Sequence, residues 1–149
     1  MKTFNAPSAY LQTPDDWADV SSYILAAPKV AGFAPTVIVN IMRQVIVREL
    51  QKHIDQQVYE MQKLSGFKLL QRQPVVVTSK GQTGFVAFSH DNNQRGPEVY
   101  QKQVYYMVGQ TIWVLTATSP ASIYPLVMPA LEGVMGTFQP KDWEGGTGA

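Results

Sequence analysis

The clearest pattern in this chain is an apolar stripe at helical spacing. Val47, Leu50, Ile54, Val58, Met61 and Leu64 fall on one face of a helix expected over residues 46–65, given roughly 100° of rotation per residue. Gly66 follows in the position that commonly closes such a helix. Gln57 interrupts the stripe, projecting between Leu64 and Leu50 and within about 40° of Met61. An uncharged amide among apolar neighbours must find hydrogen-bond partners or lose stability. Either the fold supplies the partner, or something that binds there does.

Shorter periods on either side predict strands. Residues 9–12 form a short first strand, Thr13-Pro14-Asp15-Asp16 a turn, residues 19–27 a second strand, and residues 28–35 a loop rich in Pro, Gly and Ala. Residues 36–43 are a β-branched run, apolar on both faces, which predicts a central strand covered on each side. After the helix come strands over 67–78, broken near Pro74, and over 84–89, then a loop at 91–97. Residues 99–108 and 111–119 pair as a hairpin across Gly109-Gln110. Val127, Leu131, Val134, Met135 and Phe138 predict a second helix whose regular part begins near Pro125, with Pro129 tolerated only near its first turn. The expected fold is α+β: one domain over residues 1–140, a mainly antiparallel sheet flanked by two principal helices, and a flexible tail over 141–149.

Composition narrows the function. The net charge is +1 with no basic tract, which argues against a nucleic-acid or anionic-membrane surface. Only 15% of the 149 residues are charged, below the usual quarter, and glutamine takes over much of the polar role. There is no cysteine, so disulfides, thiolate catalysis, thiolate-bound zinc and a lipidated cysteine are excluded. The first residues carry no apolar leader core, and no stretch is long enough to span a bilayer, so the expectation is a soluble, cytoplasmic protein. His53 and His90 stand outside any metal-ligand spacing, and His53 is placed on the polar, solvated side of the helix. No catalytic constellation is visible, so the expectation is a non-enzyme without metal or cofactor.

Several positions carry two interpretations. Gln57 is a groove residue that meets a bound helix, or an amide satisfied within the core. Gln101 and Gln103 share a strand face with Val99, Tyr105 and Met107, and are further groove amides or part of an exposed polar face. Ile24, Val39 and Ile41 lie on neighbouring strands and line a groove or belong to the ordinary core. Met61 and the other methionines offer an adaptable lining or fill core gaps. An amide suits an apolar helical ligand because it donates and accepts without the desolvation cost of a charge. Between Val104 and Phe138 the sole charged residue is Glu132, so a subunit interface or a bound helix is expected to cover part of that segment.

Residues 8–140 resemble the DcrB-like family, related to the Mog1/PsbP-type α/β/α sandwich. The similarity runs through Trp17-Ala18-Asp19, the strand Thr36 to Arg43, the helix segment His53 to Val58, Leu64-Ser65-Gly66-Phe67, Tyr100-Gln101-Lys102-Gln103 and Val114 to Thr118. Many members are envelope lipoproteins; the sequence shows neither an apolar leader nor a cysteine, so the expectation is a leaderless member. It resembles the leaderless branch, the effector-associated (Eag) chaperones of bacterial type VI secretion. That resemblance implies a cytoplasmic homodimer with apolar, claw-like clefts. Its client would be the N-terminal transmembrane-helix region of an effector of the Rhs/PAAR class, shielded until the effector is loaded on the secretion spike. The implied client contacts are Ile24, Val39, Ile41, Gln57, Met61, Gln101 and Gln103. Alternatives are a general Mog1/PsbP-type interaction module and an envelope small-ligand-binding protein.

Overall fold

A computed structural model of the chain describes residues 2–6, 9–13, 19–29, 32–43, 49–79, 81–91 and 97–140. The strands are β1 (Lys2–Ala6), β2 (Ala9–Thr13), β3 (Asp19–Ala26), β4 (Thr36–Arg43), β5 (Lys68–Thr78), β6 (Gly81–His90), β7 (Val99–Val108) and β8 (Thr111–Pro120). The helices are α1 (Leu50–Met61) and α2 (Tyr124–Gly136). β1 and β2 form a separate antiparallel pair. The other six strands make one sheet in the order β3-β4-β8-β7-β6-β5, antiparallel at every step. This is the expected α+β arrangement, and β1 is an element the alternation did not reveal. The turn at residues 14–16, Trp17, the helix start at 46–48, the middle of the 91–97 loop and the tail at 141–149 lie outside the described residues. No described helix is long and apolar enough to cross a membrane.

The two helices pack on opposite faces. Leu50, Ile54 and Val58 recur every fourth residue and bury one face of α1 against Val86, Phe88, Tyr105, Met107, Ile112 and Val114. Each such aliphatic side chain contributes about 1.5–3 kcal/mol by leaving water. Val127, Met128, Leu131 and Met135 of α2 cover Val37, Leu115 and Ala117 on the other side. Pro125 occupies the first turn of α2, where its missing N–H costs nothing. Pro129 sits deeper, inside the helix, but the bond it removes is one to the carbonyl of Pro125 in that first turn.

α1 ends earlier than its stripe suggested. Met61 is its last residue and Gln62 its C-cap; the chain then unwinds through tight turns, with Leu64 N–H donating to the Met61 carbonyl and Phe67 N–H to that of Leu64. Gly66 does adopt the left-handed conformation (φ 67°), but in the turn into β5 and not as the residue closing the helix. Near Pro74 the ladder between β5 and β6 shifts register. Gln51 of α1 serves that irregularity, accepting from the Val75 N–H at 3.1 Å.

The largest departure concerns β4. It is second from the sheet edge and mostly half-exposed, not a strand covered on both sides. α1 packs against β5, β6 and β7, whereas α2 packs against β8 and β4. Among the described residues, the α1 side of β4 and β3 therefore has no helix over it, while Ile112, Val114 and Thr116 of β8 are buried at the margin of α1.

Candidate functional site

That uncovered floor can be followed along one row of paired residues. Val86, Gln103, Thr116, Ile38 and Ile24 are successive cross-strand partners on β6, β7, β8, β4 and β3. Under α1, Val86 is fully buried (0% exposed); Thr116 is 8% exposed; at the edge, Ile24 is 68% exposed. Parallel rows place Ser22, Asn40, Val114 and Tyr105 on one side, and Ala26, Thr36, Thr118 and Gln101 on the other. The result is a trough with an aliphatic outer margin and an amide- and hydroxyl-bearing inner margin against α1.

α1 is attached asymmetrically. Along its β5 flank, Gln51 binds the Val75 N–H and Asp55 pairs with Arg72. Its N-terminal Leu50 N–H is satisfied by Gln82 Oε1 at 3.0 Å, since Glu49 makes no capping bond with its side chain. The opposite flank carries His53 and Gln57 over a cleft of about 290 Å³, lined also by Asn40, Met42, Gln103, Tyr105, Val114 and Thr116. Gln57 makes no side-chain hydrogen bond among the described residues, although it is half-buried. The other two amides are held by the protein itself. Gln101 Nε2 donates to Thr118 Oγ1 at 3.1 Å, and Gln101 Oε1 accepts from His90 Nε2 at 3.1 Å. Gln103 Oε1 accepts from the Tyr105 hydroxyl, two residues along the same face. Burial pushes the Tyr105 phenol far above its ordinary value, with Arg72 opposing, so the hydroxyl stays a donor at any physiological pH.

His53 is not on a solvated face. Its ring meets Tyr105 edge-on at 5.9 Å, its Nε2 is buried without a partner, and desolvation lowers its pKa. At position 53 the side chain points about 60° from the Leu50 direction, the shoulder of the stripe and not its far side.

The expected contact residues thus divide. Ile24, Gln57, Gln101 and Gln103 share the α1 side of the sheet. Met61 is partly buried against the core beneath α1. Val39 and Ile41 face the other way, lining with Tyr23, Leu25, Trp113 and Phe138 a second cleft of about 620 Å³ on the α2 side. The residues that join Ile24 in the trough are Ile38 and Asn40, which the sequence reading passed over. The signal for them was present: Asn40 is a polar residue within an otherwise β-branched run, and its parity is that of Ile38. Asn40 is held by Ser22 Oγ, which donates to its Oδ1 at 2.5 Å. Among the described residues no group of three or more His, Asp, Glu or Cys side chains stands close enough to hold a metal ion.

Two solved structures share this architecture. A Pseudomonas aeruginosa protein of unknown function, PA94, superposes with a TM-score of 0.72 at 20% identity, over 95% of this chain and 97% of that one. LpqN of Mycobacterium tuberculosis, involved in cell envelope biogenesis, gives a TM-score of 0.51 at 12% identity, over 79% and 82%. No curated protein matches. The DcrB family matches residues 9–137, nearly the whole of the sheet and both helices, and the chain belongs to that family.

Proposed function

We propose that this protein is a non-enzymatic chaperone that shields an apolar helix, the N-terminal transmembrane segment of a type VI secretion effector, in the trough beside α1. The observation that supports this most is the row beyond the buried Thr116, from half-buried Ile38 to exposed Ile24, flanked by an amide, Gln57, that has no hydrogen-bond partner among the described residues. Dimensions agree. A helix with its side chains is about 10–12 Å across, and β4 and β3 at about 4.8 Å spacing, with the buried β8 residues as inner margin, offer a floor of nearly that width. One helix fits beside α1, at the interaxial distance of about 8–10 Å usual for packed helices. Its apolar face would cover Ile24 and Ile38, and its polar spots would meet Gln57 and the amide nitrogen of Gln103, Gln101 being engaged by His90 and Thr118. Membership of the DcrB family and the resemblance to its Eag branch are consistent with this client, and with a homodimer presenting two troughs.

Burial of apolar area contributes about 25 cal/mol per Å², so covering the aliphatic margin gives several kcal/mol before the cost of ordering the partner. The test is coexpression with an effector fragment bearing its apolar N-terminal helices, with soluble recovery as the readout. Ile24→Asp with Ile38→Asp should abolish recovery. Tyr23→Asp with Leu25→Asp, both exposed but on the α2 side, should leave it near wild type. Equal recovery from both double variants would refute the assignment to this face.

The likeness to LpqN favours a second possibility, an envelope-related protein taking a small apolar ligand in the cleft of about 620 Å³ on the α2 side. Lipid retained through purification, with no solubilisation of the effector fragment, would decide for it.

A further inference from the structure

The chaperone role leaves one group in the trough unexplained. His53 stands on the trough flank of α1, and its Nε2 is out of contact with water and has no hydrogen-bond partner among the described residues. A neutral imidazole tolerates that position; an imidazolium there would hold a buried charge with no counter-ion. The ring meets Tyr105 of β7, and the cleft it lines is completed among the described residues by Gln103 of β7, Asn40 and Met42 of β4, Val114 and Thr116 of β8 and Gln57 on its own helix. Of these Tyr105 alone is ionisable, and it is a neutral phenol. The nearby carboxylates are engaged elsewhere: Glu49, at the N-cap of α1, pairs with Lys52 near solvent, Asp55 with Arg72 on the β5 flank, and Glu60 with Lys63. No carboxylate among the described residues lines the cleft to receive a proton-bearing ring.

We infer that His53 is a proton-sensitive wall of the trough, which must be neutral for an apolar helix to occupy it, so that occupancy falls on acidification. The inference rests on the shielding role proposed above and adds its regulation. Seating an apolar helix against the ring removes the remaining water on its exposed side and penalises the charged form further. Binding and protonation then oppose one another: the helix lowers the His53 pKa, and protonation of His53 weakens the helix. The amides of Gln57 and Gln103 carry no such dependence.

The experiment uses the full chain and a fluorescent 20-residue Leu/Ala peptide with lysines at both ends, titrated by anisotropy at pH 8 and pH 5. Because burial already holds the His53 pKa below its ordinary value in the free protein, the rise in Kd over that interval should exceed twofold but stay below the roughly 30-fold that an unperturbed imidazole would allow. His53→Gln should bind at pH 8 and stay within about twofold at pH 5, and His53→Asn serves if that variant folds poorly. In parallel, NMR titration of the His53 imidazole should give a lower pKa with peptide than without. A pH dependence that survives both substitutions, or an imidazole pKa that the peptide does not move, overturns the inference while leaving the chaperone role standing. Wild-type protein that fails to bind at pH 8 refutes the chaperone role and the inference together.

Discussion

Three glutamines that look alike in the sequence behave differently in the fold. Gln101 holds His90 and Thr118 together, so Gln101→Ala should lower stability by about 1–3 kcal/mol, as expected when buried polar partners are orphaned. Gln57 satisfies nothing, so Gln57→Ala should change the unfolding free energy by less than about 0.5 kcal/mol while reducing recovery of an effector fragment. Chemical denaturation beside the coexpression assay separates the two, and a large stability loss in Gln57→Ala would show that the amide serves the fold. The helical stripe was enough to single out Gln57, because angular position on a helix is fixed by sequence spacing alone. It was not enough for His53, which sits on the shoulder of the stripe: only the packed distance to Tyr105 shows that its ring is drawn inward. Nor could it reveal that Gln101 is internally satisfied, since His90 and Thr118 reach it across strands.

Among the elements, α1 decides the site, and its position depends on a glycine. A Cβ built on Gly84 of β6 would stand 3.2 Å from Ile54 Cδ1 and 3.3 Å from Val75 Cγ2. Gly84→Ala should therefore lift α1 from the sheet and cost about 1–3 kcal/mol, as overpacked cores do, with Tm as the measurement. An unchanged Tm would mean that the helix accommodates the methyl by sliding. The strands were largely legible because β-branched runs and turn residues act locally; the hairpin of β7 and β8 turns at Gly109 with φ 57°, as its two-residue connection demands. Which face of β4 is open was not legible. Its side chains are apolar on both sides, and the choice is made by how far α1 reaches across the sheet, a property of packing and not of the strand. Val39 and Ile41 were grouped with Ile24 for that reason, although the register pairs Ile24 with Ile38.

At the scale of the molecule, α1 packs over β5, β6 and β7 and reaches the buried residues of β8, and among the described residues no helix covers β4 and β3 on that side. An isolated copy forgoes the burial that those strands would give, and a helix that binds the folded form alone restores it by mass action. At a free peptide concentration of 100 times Kd the gain is about 2.7 kcal/mol. For a chain of this size that corresponds to a rise in Tm of roughly 5–11 °C, measurable by differential scanning fluorimetry at pH 8. A Tm that stays constant with peptide concentration would contradict it. If the proposed partner helix covers this face, the chain's lifetime in a cell becomes a function of supply: copies without it would unfold more often and meet proteases first, so production in excess of the partner would correct itself, and the two proteins would settle toward matched amounts without a dedicated regulator.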